Sequence, residues 1–370
     1  MVNMRGNKIK IKRVLKILGK AAGCLFLVVA VYFLYVILDY HRIEDYVELE
    51  IKAPSQENRA EEVQTEEEYA IITYNIGFGA YTPDFSFFMD GGTESVAESK
   101  ESVLATVSGA ADLVRKENAQ FYLFQEVDMD STRSYHVDQY ELLDAFFPEY
   151  YSNIAVNYDS SFLFYPILKP HGKSYAGVAL YSEFPITQAI RRSFPISESF
   201  SKYLDLDRCY SVNRIPVENG KELCIYQLHM SAYGNNDAIR EGQISMICAD
   251  MKTEYEAGNY IICGGDFNHD LKRLDDDGGE YASWAYPFPR DSVPEGFGFV
   301  LDSFSQEERE AMHNSARNAD MAYKEGVTYT VTLDGFIISD NITCVSYENM
   351  NTGYAYSDHD PVKMVFKLNE

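Results

Sequence analysis

A buried strand that ends in polar residues, YIICGGDFNHD at 260–270, constrains the fold of this chain more than any other feature. Its first four residues are apolar, which is typical of a buried β-strand, and the glycine pair permits a tight turn or a close backbone approach. Asp266 and Asn268 follow the C-terminal end of this strand, where open α/β sheets commonly bind ligands. Their side chains suit a divalent cation, an activated water and a phosphate, although a simple Gly-Asp-Asn turn has the same pattern.

Polar residues lie at the ends of five further apolar runs, which weakens the interpretation of a simple turn. Each run has the length and composition of a buried strand. The polar residues are Asn75 after 70–72, Gln125 and Glu126 after 121–124, His229 after 224–226, Asp334 before 336–338, and Asp358 and His359 before the last strand. The recurrence favours a functional site over a set of unrelated turns.

The order of these residues, Asn, Gln-Glu, His, Gly-Asp-Phe-Asn, Asp and Ser-Asp-His, resembles the endonuclease/exonuclease/phosphatase superfamily. The resemblance extends over residues 69–370 and implies the deoxyribonuclease-I-like fold. That fold is an α/β (α+β) four-layer sandwich, in which two packed, mostly antiparallel β-sheets are flanked by helices. Strand patterns in both halves of the chain, with helical patterns at 95–118, 139–147 and 236–255, favour the same architecture.

The resemblance implies a divalent cation, Mg²⁺ with Mn²⁺ as an alternative, held by Asn75, Glu126 and Asp358. Mg²⁺ takes oxygen ligands and is usually held by one or two carboxylates together with substrate phosphate. Glu126 also follows a buried strand directly, and a carboxylate there is costly to bury unless it reaches solvent or a cation.

The resemblance further implies that catalysis depends on His229, Asp266, Asn268, Asp334 and His359. In the family, the histidine at the position of His359 lies against the scissile phosphorus, and an aspartate at the position of Asp334 orients it. Asp266 and Asn268 are expected to position the attacking water and to hold a non-bridging phosphate oxygen. His229 is expected to contact a phosphate oxygen and is a candidate proton donor to the leaving group.

Other polar residues carry weaker signals. Arg133 suits a phosphate contact and a solvated loop position equally well, and Tyr175 is a looser candidate for the phosphate. The loops at 77–92 and 271–327 are long enough to determine specificity. The remaining histidines are expected to be structural, namely His41, His136, His171, His269 and His313.

The sequence lacks features of two groups within the family, which argues against their functions for this chain. Gly77 stands near the position where abasic-site endonucleases carry a second acidic ligand, and no segment resembles the basic phosphate-gripping motifs of inositol polyphosphate 5-phosphatases. We therefore predict a divalent-metal-dependent, phosphodiesterase-like phosphoester hydrolase. Its substrate is a lipid headgroup, a nucleotide or a nucleic-acid phosphodiester. The alternative is a binding module that keeps the fold and lacks catalysis.

The first 38 residues predict a membrane anchor. Residues 1–20 carry seven Lys and Arg and no acid, and residues 21–38 carry no charge, which is long enough for one helix to cross a bilayer. The basic flank places the N-terminus in the cytoplasm and the rest of the chain outside, in a single-pass protein of the cell membrane. A cleaved signal peptide and a buried core helix are the alternatives.

Residues 39–68 are rich in Glu, Gln, Asn and Ser and are predicted to form an acidic flexible linker. The catalytic domain is then expected to cover 69–370 and to be monomeric. The chain has 57 acidic and 32 basic residues and a formal net charge of −25, which disfavours a stable complex with nucleic acid. The expected partners are a phosphoester substrate and, through residues 21–38, the membrane.

The six cysteines show no Cys-x-x-Cys spacing, so a zinc site is not favoured. Most of them stand among apolar neighbours, which predicts buried free thiols. A disulfide between Cys209 and Cys224 on adjacent strands is the alternative.

Overall fold

The computed structural model describes residues 2–57, 60–203, 206–231, 237–274 and 285–370. The chain divides into two units, Met1–Arg42 and Ile43–Glu370. The first unit contains helix α1 (Val2–Asp39), within which Lys12–Asp39 is long and apolar enough to cross a membrane. Its 28 residues extend roughly 42 Å, against about 30 Å for the hydrocarbon core of a bilayer. A signal sequence would meet the same criteria of length and composition.

The second unit is built mainly of β-strands. Its helices are α2 (Lys100–Arg115), α3 (Gln139–Asp144), α4 (Asp237–Glu256) and α5 (Gln306–Ala311). Its strands are β1 (Val47–Glu48), β2 (Tyr69–Asn75), β3 (Phe121–Asp128), β4 (Tyr151–Asp159), β5 (Tyr175–Ser182), β6 (Gln188–Ser193), β7 (Cys209–Pro216), β8 (Glu222–His229), β9 (Tyr260–Asp266), β10 (Phe297–Phe299), β11 (Ala316–Arg317), β12 (Thr330–Val331), β13 (Asp334–Ser339), β14 (Ile342–Asn349) and β15 (Val362–Leu368).

Within the described residues, these strands form two large sheets and one small one. The first large sheet has the order β1-β6-β7-β8-β9-β13-β10, the second has the order β14-β15-β2-β3-β5-β4, and β11 pairs with β12. Neighbouring strands are antiparallel, except that β2 is parallel to β3 and β8 is parallel to β9. The predicted pair of mostly antiparallel sheets is therefore confirmed.

Three apolar clusters hold four layers together. The cluster between the sheets joins Leu123 and Leu180 of the second sheet to Ile225 and Ile262 of the first. Removing such buried aliphatic side chains from water contributes about 1.5–3 kcal/mol each. A second cluster lies under α2 and α3, and a third lies under α4. The layers are helix, sheet, sheet and helix, as the resemblance implies.

Helix α2 shows how local sequence determines an element. Its apolar residues recur at helical spacing, and the side chains of Val103, Val107 and Val114 are buried against the second sheet. Ser99 caps the helix, because its side chain accepts a hydrogen bond from the backbone of Ser102. This cap makes the helix shorter at its start than the predicted range 95–118.

The flexible linker predicted for 39–68 is wrong over residues 43–68, which belong to the second unit. Strand β1 pairs with β6 at the edge of the first sheet, and Leu49 and Ile51 pack against the core between the sheets. Val63 is fully buried and bridges to Val217. The segment is acidic overall, but the alternation in Val-Glu-Leu-Glu-Ile at 47–51 is a strand signal that its composition obscures.

Candidate active site

The register of the strands brings the polar strand ends together. In the first sheet, Asp266 of β9 is opposite His229 of parallel β8 and opposite Asp334 of antiparallel β13. In the second sheet, Asn75 of β2 is opposite Gln125 of β3. The side-chain amide of Asn75 donates to Asp266 Oδ2 at 3.1 Å, so the two sheets are linked at this edge.

An open pocket of about 320 Å³ lies at this edge of the sandwich. Asn75 and Asp334 lie directly behind its wall, where they bond to residues that line it. The predicted site residues in the lining are Glu126, His229, Asp266, Asn268, Asp358 and His359. The structure therefore places all the predicted site residues in one cluster, although they are far apart in sequence.

His359 and Asp334 form a buried pair. Nδ1–H of His359 donates to Asp334 Oδ2 at 2.7 Å, and the hydroxyl of Ser315 donates to the same oxygen at 2.7 Å. Burial alone would lower the pKa of His359, but the carboxylates of Asp334 and Asp266 outweigh it and raise this pKa well above its ordinary value. His359 is therefore held as an imidazolium, with its other nitrogen 3.8 Å from Asp266 Oδ2.

Asp266 is the centre of the cluster. One carboxylate oxygen accepts a hydrogen bond from the backbone of Asn268 at 2.8 Å, and the other lies 3.5 Å from His229 Nε2. Burial raises the pKa of Asp266 to about 7, the charge of Asp334 adds to the rise, and His359 opposes it. A carboxylate with such a pKa can exchange protons near neutral pH, as a general base requires.

Asn268 is fixed at the pocket wall by its backbone conformation. Its φ of 51° lies in the left-handed region, which asparagine adopts more readily than most residues. The side-chain amide donates to the carbonyl of Met230 at 2.8 Å. This bond leaves the amide oxygen as the remaining polar atom of the side chain.

His229 is neutral in this environment. Burial, Arg208 and the imidazolium of His359 all lower its pKa, well below the ordinary value for histidine. Its Nδ1 is buried and has no hydrogen-bond partner among the described residues. A neutral histidine can hydrogen-bond a phosphate oxygen, but it does not fit the predicted part as a proton donor to the leaving group.

Glu126 and Asp358 supply carboxylates on the second-sheet side of the pocket. Burial and the charge of Asp358 raise the pKa of Glu126, while Arg133 lowers it. The backbone of Glu126 has a φ of 56°, a conformation that costs a residue with a Cβ about 1–2 kcal/mol. The two carboxylates lie close together at a wall with a strained backbone, which suits a divalent cation. Such a cation would offset the repulsion between the carboxylates and the cost of burying their charge.

Asn75 does not have the position of a metal ligand that the resemblance implies. Its Oδ1 accepts from the backbone of Gly77 at 3.0 Å, and its Nδ2 donates to Glu126 at 3.3 Å as well as to Asp266. It therefore orients carboxylates. Gly77 itself has a φ of +50°, and a Cβ there would lie 2.6 Å from the ring of Tyr81, which explains why no acidic residue stands at this position.

Two arginines that line the pocket escaped the sequence prediction. Arg208, just before β7, is only 4% exposed, and its Nε and Nη1 have no hydrogen-bond partner among the described residues. Arg317 in β11 donates to the carbonyl of Thr82 at 3.1 Å, which ties the loop at 77–92 to the wall. No motif marks either residue, because long-range packing alone brings them to the pocket.

The weaker candidates for a phosphate contact, Arg133 and Tyr175, lie outside the pocket lining. Arg133 forms a buried ion pair with Asp128 at 2.8 Å and stacks on the ring of Phe78, and it does not line the pocket. Tyr175 does not line the pocket either.

The loops at 77–92 and 271–327 both contribute to the lining, and residues 275–284 of the latter lie outside the described residues. All six cysteines are free, so the alternative bridge between Cys209 and Cys224 is not formed.

A two-sheet sandwich with clustered carboxylates and a carboxylate-paired histidine at one sheet edge is the arrangement that the resemblance implies for a class of proteins that act on phosphoesters. The sequence profile of the Endonuclease/Exonuclease/phosphatase family matches residues 72–306. The chain therefore belongs to the Endonuclease/Exonuclease/phosphatase family.

Solved structures share this fold over most of the chain. An endonuclease/exonuclease/phosphatase from Beutenbergia cavernae is 13% identical, with 82% of this chain and 72% of that chain covered and a TM-score of 0.56. The human Nocturnin catalytic domain with bound sulfate anion is 16% identical, with 82% and 95% covered and a TM-score of 0.52. TDP2 from D. rerio, complexed with a single-strand DNA product, is 12% identical, with 82% and 100% covered and a TM-score of 0.53. Among curated proteins, none matches this chain.

Proposed function

We propose that this protein is a divalent-metal-dependent phosphoester hydrolase of the phosphodiesterase type. The observation that carries the proposal is the contiguous series Asp334, His359 and Asp266 at the wall of an acidic pocket. The series combines a fixed positive charge with a carboxylate of pKa about 7. These are the two groups that attack of water on a phosphoester requires.

Glu126 and Asp358 are the residues that would hold the cation, because their carboxylates line the pocket on the side of the second sheet, at the end of β3 and just before β15. When bound, Mg²⁺ or Mn²⁺ would neutralise negative charge that develops on the phosphoryl and leaving oxygens. Asp266, Asp334 and His359 also have close ligand atoms, but the hydrogen bond between His359 and Asp334 already uses two of these groups. We therefore assign the cation to Glu126 and Asp358.

The mechanism follows from the states of the side chains. The imidazolium of His359 donates to a non-bridging oxygen of the phosphate and stabilises the charge of the transition state. Asp266 takes a proton from the attacking water as the water oxygen bonds to phosphorus, and Asn268 helps to position this water. The bond between phosphorus and the leaving oxygen breaks, and that oxygen takes a proton from solvent in the open pocket. Neutral His229 contributes a hydrogen bond.

Arg208 completes the phosphate site in this proposal. Its guanidinium is buried, and its Nε and Nη1 have no hydrogen-bond partner in the part of the chain that the structure describes, which is costly unless an anion binds there. A phosphate oxygen is a natural acceptor for such a fork. The sulfate bound to the Nocturnin domain supports recognition of tetrahedral anions by this fold.

Several wider features belong to the same proposal. The substrate is a lipid headgroup, a nucleotide or a nucleic-acid phosphodiester, and the DNA product bound to D. rerio TDP2 supports the last of these. The net charge of −25 opposes a stable complex with long nucleic acids. The catalytic unit acts as a monomer, is displayed outside the cell membrane and is anchored by the helix within residues 12–39.

A hydrolysis panel with the full chain tests the proposal. The substrates are bis(p-nitrophenyl) phosphate, p-nitrophenyl phosphate, a phospholipid in vesicles, a dinucleotide and single-stranded DNA, each with Mg²⁺, Mn²⁺ or EDTA. We expect metal-dependent hydrolysis of at least one diester. Absence of hydrolysis under every condition would contradict the hydrolase proposal and favour the alternative, a binding module that lacks catalysis.

The cation site has a test that does not need activity. We expect Mg²⁺ to raise the melting temperature of the wild type, because the ion binds the folded state and relieves carboxylate repulsion. Glu126→Gln should melt at the same or a higher temperature without Mg²⁺ and should lose most of the Mg²⁺-induced rise. A full rise in this variant would place the cation elsewhere.

A further inference from the structure

The loop between β4 and β5 carries a group of strongly exposed apolar side chains. Leu168 is 99% exposed, Ile167 is 83% exposed and Tyr165 is 67% exposed, and Phe164 beside them is also exposed. We call these four residues the apolar tip. Single exposed apolar residues are ordinary, but a continuous group of this kind marks an interaction surface.

The tip stands on a fixed base. Leu163 and Gly172 exchange backbone hydrogen bonds of 3.0 Å, and the backbone of His171 donates to the carbonyl of Tyr165 at 3.2 Å. Below them, the hydroxyl of Ser95 donates to the carbonyl of Lys169, and His171 Nδ1–H donates to the carbonyl of Ser95. The apolar residues therefore form a held protrusion.

The tip is adjacent to the active site. The rings of Tyr165 and Phe88 are 5.7 Å apart, and Met89, which follows Phe88, is exposed and lines the pocket. An apolar strip thus leads from the tip through Phe88 and Met89 to the pocket rim. Whatever the tip contacts lies next to the pocket opening.

A lipid bilayer suits this surface better than a second protein. Because the side chains of Ile167 and Leu168 are almost fully exposed, a protein partner would need an apolar cavity to enclose them, whereas fluid acyl chains adapt to them. Tyr165 has the amphipathic character of residues at the membrane interface, and the exposed Lys169 beside the tip offers an ammonium group to lipid phosphates. The same chain contains a helix able to cross a membrane. A second copy is disfavoured, because two units of a chain with net charge −25 repel each other.

We propose that the apolar tip inserts into the membrane surface and holds the pocket against it, so that the substrate is a phosphoester lipid of the same bilayer. The substrate part of this inference rests on the proposed hydrolase function, while the membrane contact does not. Insertion of the tip would present headgroup phosphates to the pocket without removing the lipid from the bilayer.

Fluorescence quenching tests the membrane contact directly. The chain has a single tryptophan, so the difference between Leu168→Trp and the wild type reports the tip. The full chain is reconstituted in phosphatidylcholine vesicles with or without phosphatidylcholine brominated at shallow acyl positions. The matched control is Val345→Trp, a 45% exposed position on β14, at the opposite edge of the second sheet from β4.

We expect brominated lipid to quench the emission at position 168 at least twofold more than at position 345. Equal quenching at the two positions would overturn the proposal. A blue-shifted emission at position 168 that depends on protein concentration in detergent, without a response to bromine, would assign the tip to a second copy and would also overturn it.

Activity then tests the substrate class. The double variant Ile167→Ser with Leu168→Ser should hydrolyse a vesicle phospholipid at least fivefold more slowly than the wild type and should hydrolyse soluble bis(p-nitrophenyl) phosphate at the wild-type rate. Equal losses on both substrates, or no loss on the lipid, would contradict a lipid substrate. Quenching without any hydrolysis by the wild type would contradict the hydrolase function and leave the membrane contact standing. Hydrolysis without quenching would contradict insertion of the apolar tip and leave the hydrolase function standing.

Discussion

At the scale of single residues, Arg208 is the group whose environment most requires a ligand. Its buried guanidinium lies beside neutral His229, and its charge contributes to the low pKa of that histidine. By contrast, Arg192 is a buried arginine that is fully used, since it pairs with Asp45 at 3.0 Å and with Asp250. Arg208 is therefore positioned to bind a ligand in the pocket, whereas Arg192 stabilises the fold.

Arg208→Gln should lower kcat/KM by about 10²-fold, as loss of a preorganised charge contact typically does. It should leave the melting temperature unchanged or higher, because an uncompensated buried charge is removed. Arg192→Gln is the control and should lose about 2 kcal/mol of stability while keeping wild-type kcat. The measurements are steady-state kinetics and thermal melts of both variants. Unchanged kcat/KM in Arg208→Gln would exclude this arginine from the phosphate site.

A second prediction at this scale concerns His171, whose pKa burial lowers to about 4, with help from the charge of Arg133. Above pH 6.5 this histidine is neutral in both the folded and the unfolded chain, so its titration does not affect stability there. As the pH falls from 6.5 towards 4, the unfolded chain binds a proton that the folded chain does not, and the fold loses stability. The integrated effect is about 3 kcal/mol. His171→Asn keeps a donor for the carbonyl of Ser95 and should reduce the change in the free energy of urea unfolding between pH 7 and 4.5 by about 2 kcal/mol, the part of the integrated effect that falls in this range. An unchanged slope would contradict the assignment.

At the scale of elements, the segment 43–68 is part of the fold despite its acidic composition. Val63→Ala should cost about 2 kcal/mol, because the fully buried valine leaves a cavity near the core between the sheets. The exposed Glu50→Ala should be neutral within about 0.5 kcal/mol. Denaturant unfolding of both variants measures the difference. Equal stabilities would mean that the segment contributes nothing to the fold, as the flexible-linker prediction held.

Local sequence patterns predict some features of this molecule and miss others. Asp266, Asp334 and His359 could be predicted as a group because each adjoins an apolar run and because their order along the chain resembles the family. The two-sheet architecture followed from strand and helix periodicity together with the family resemblance. Strand β1 could not be predicted from composition, since its partner β6 is more than 130 residues away. Arg208 and the orientation of Asn75 depend on packing between distant strands, which no local pattern reports.

At the scale of the whole molecule, the basic residues at 1–20 and the uncharged run at 21–38 predict the topology. Protease added to intact cells or spheroplasts should remove the second unit and leave a membrane fragment of roughly 40 residues, because positive flanks stay in the cytoplasm. An antibody to the N-terminus detects this fragment. Full protection of the chain would show the opposite orientation, and a mature N-terminus beyond residue 38 would show a cleaved signal.

The central claim is that the pocket at the end of β9 hydrolyses phosphoesters. Its most direct test is kcat for the wild type, His359→Ala and Asp266→Asn, measured with Mg²⁺ on a diester that the wild type cleaves, alongside the melting temperature of each. We predict that each variant loses a factor of about 10² or more in kcat, because a preorganised group of the transition state is removed. Asp266→Asn should melt at the wild-type temperature or above, since a repelling carboxylate is removed. His359→Ala should remain folded but melt at a lower temperature, because the buried carboxylate of Asp334 loses its partner. Folded variants that keep the wild-type kcat would contradict the account.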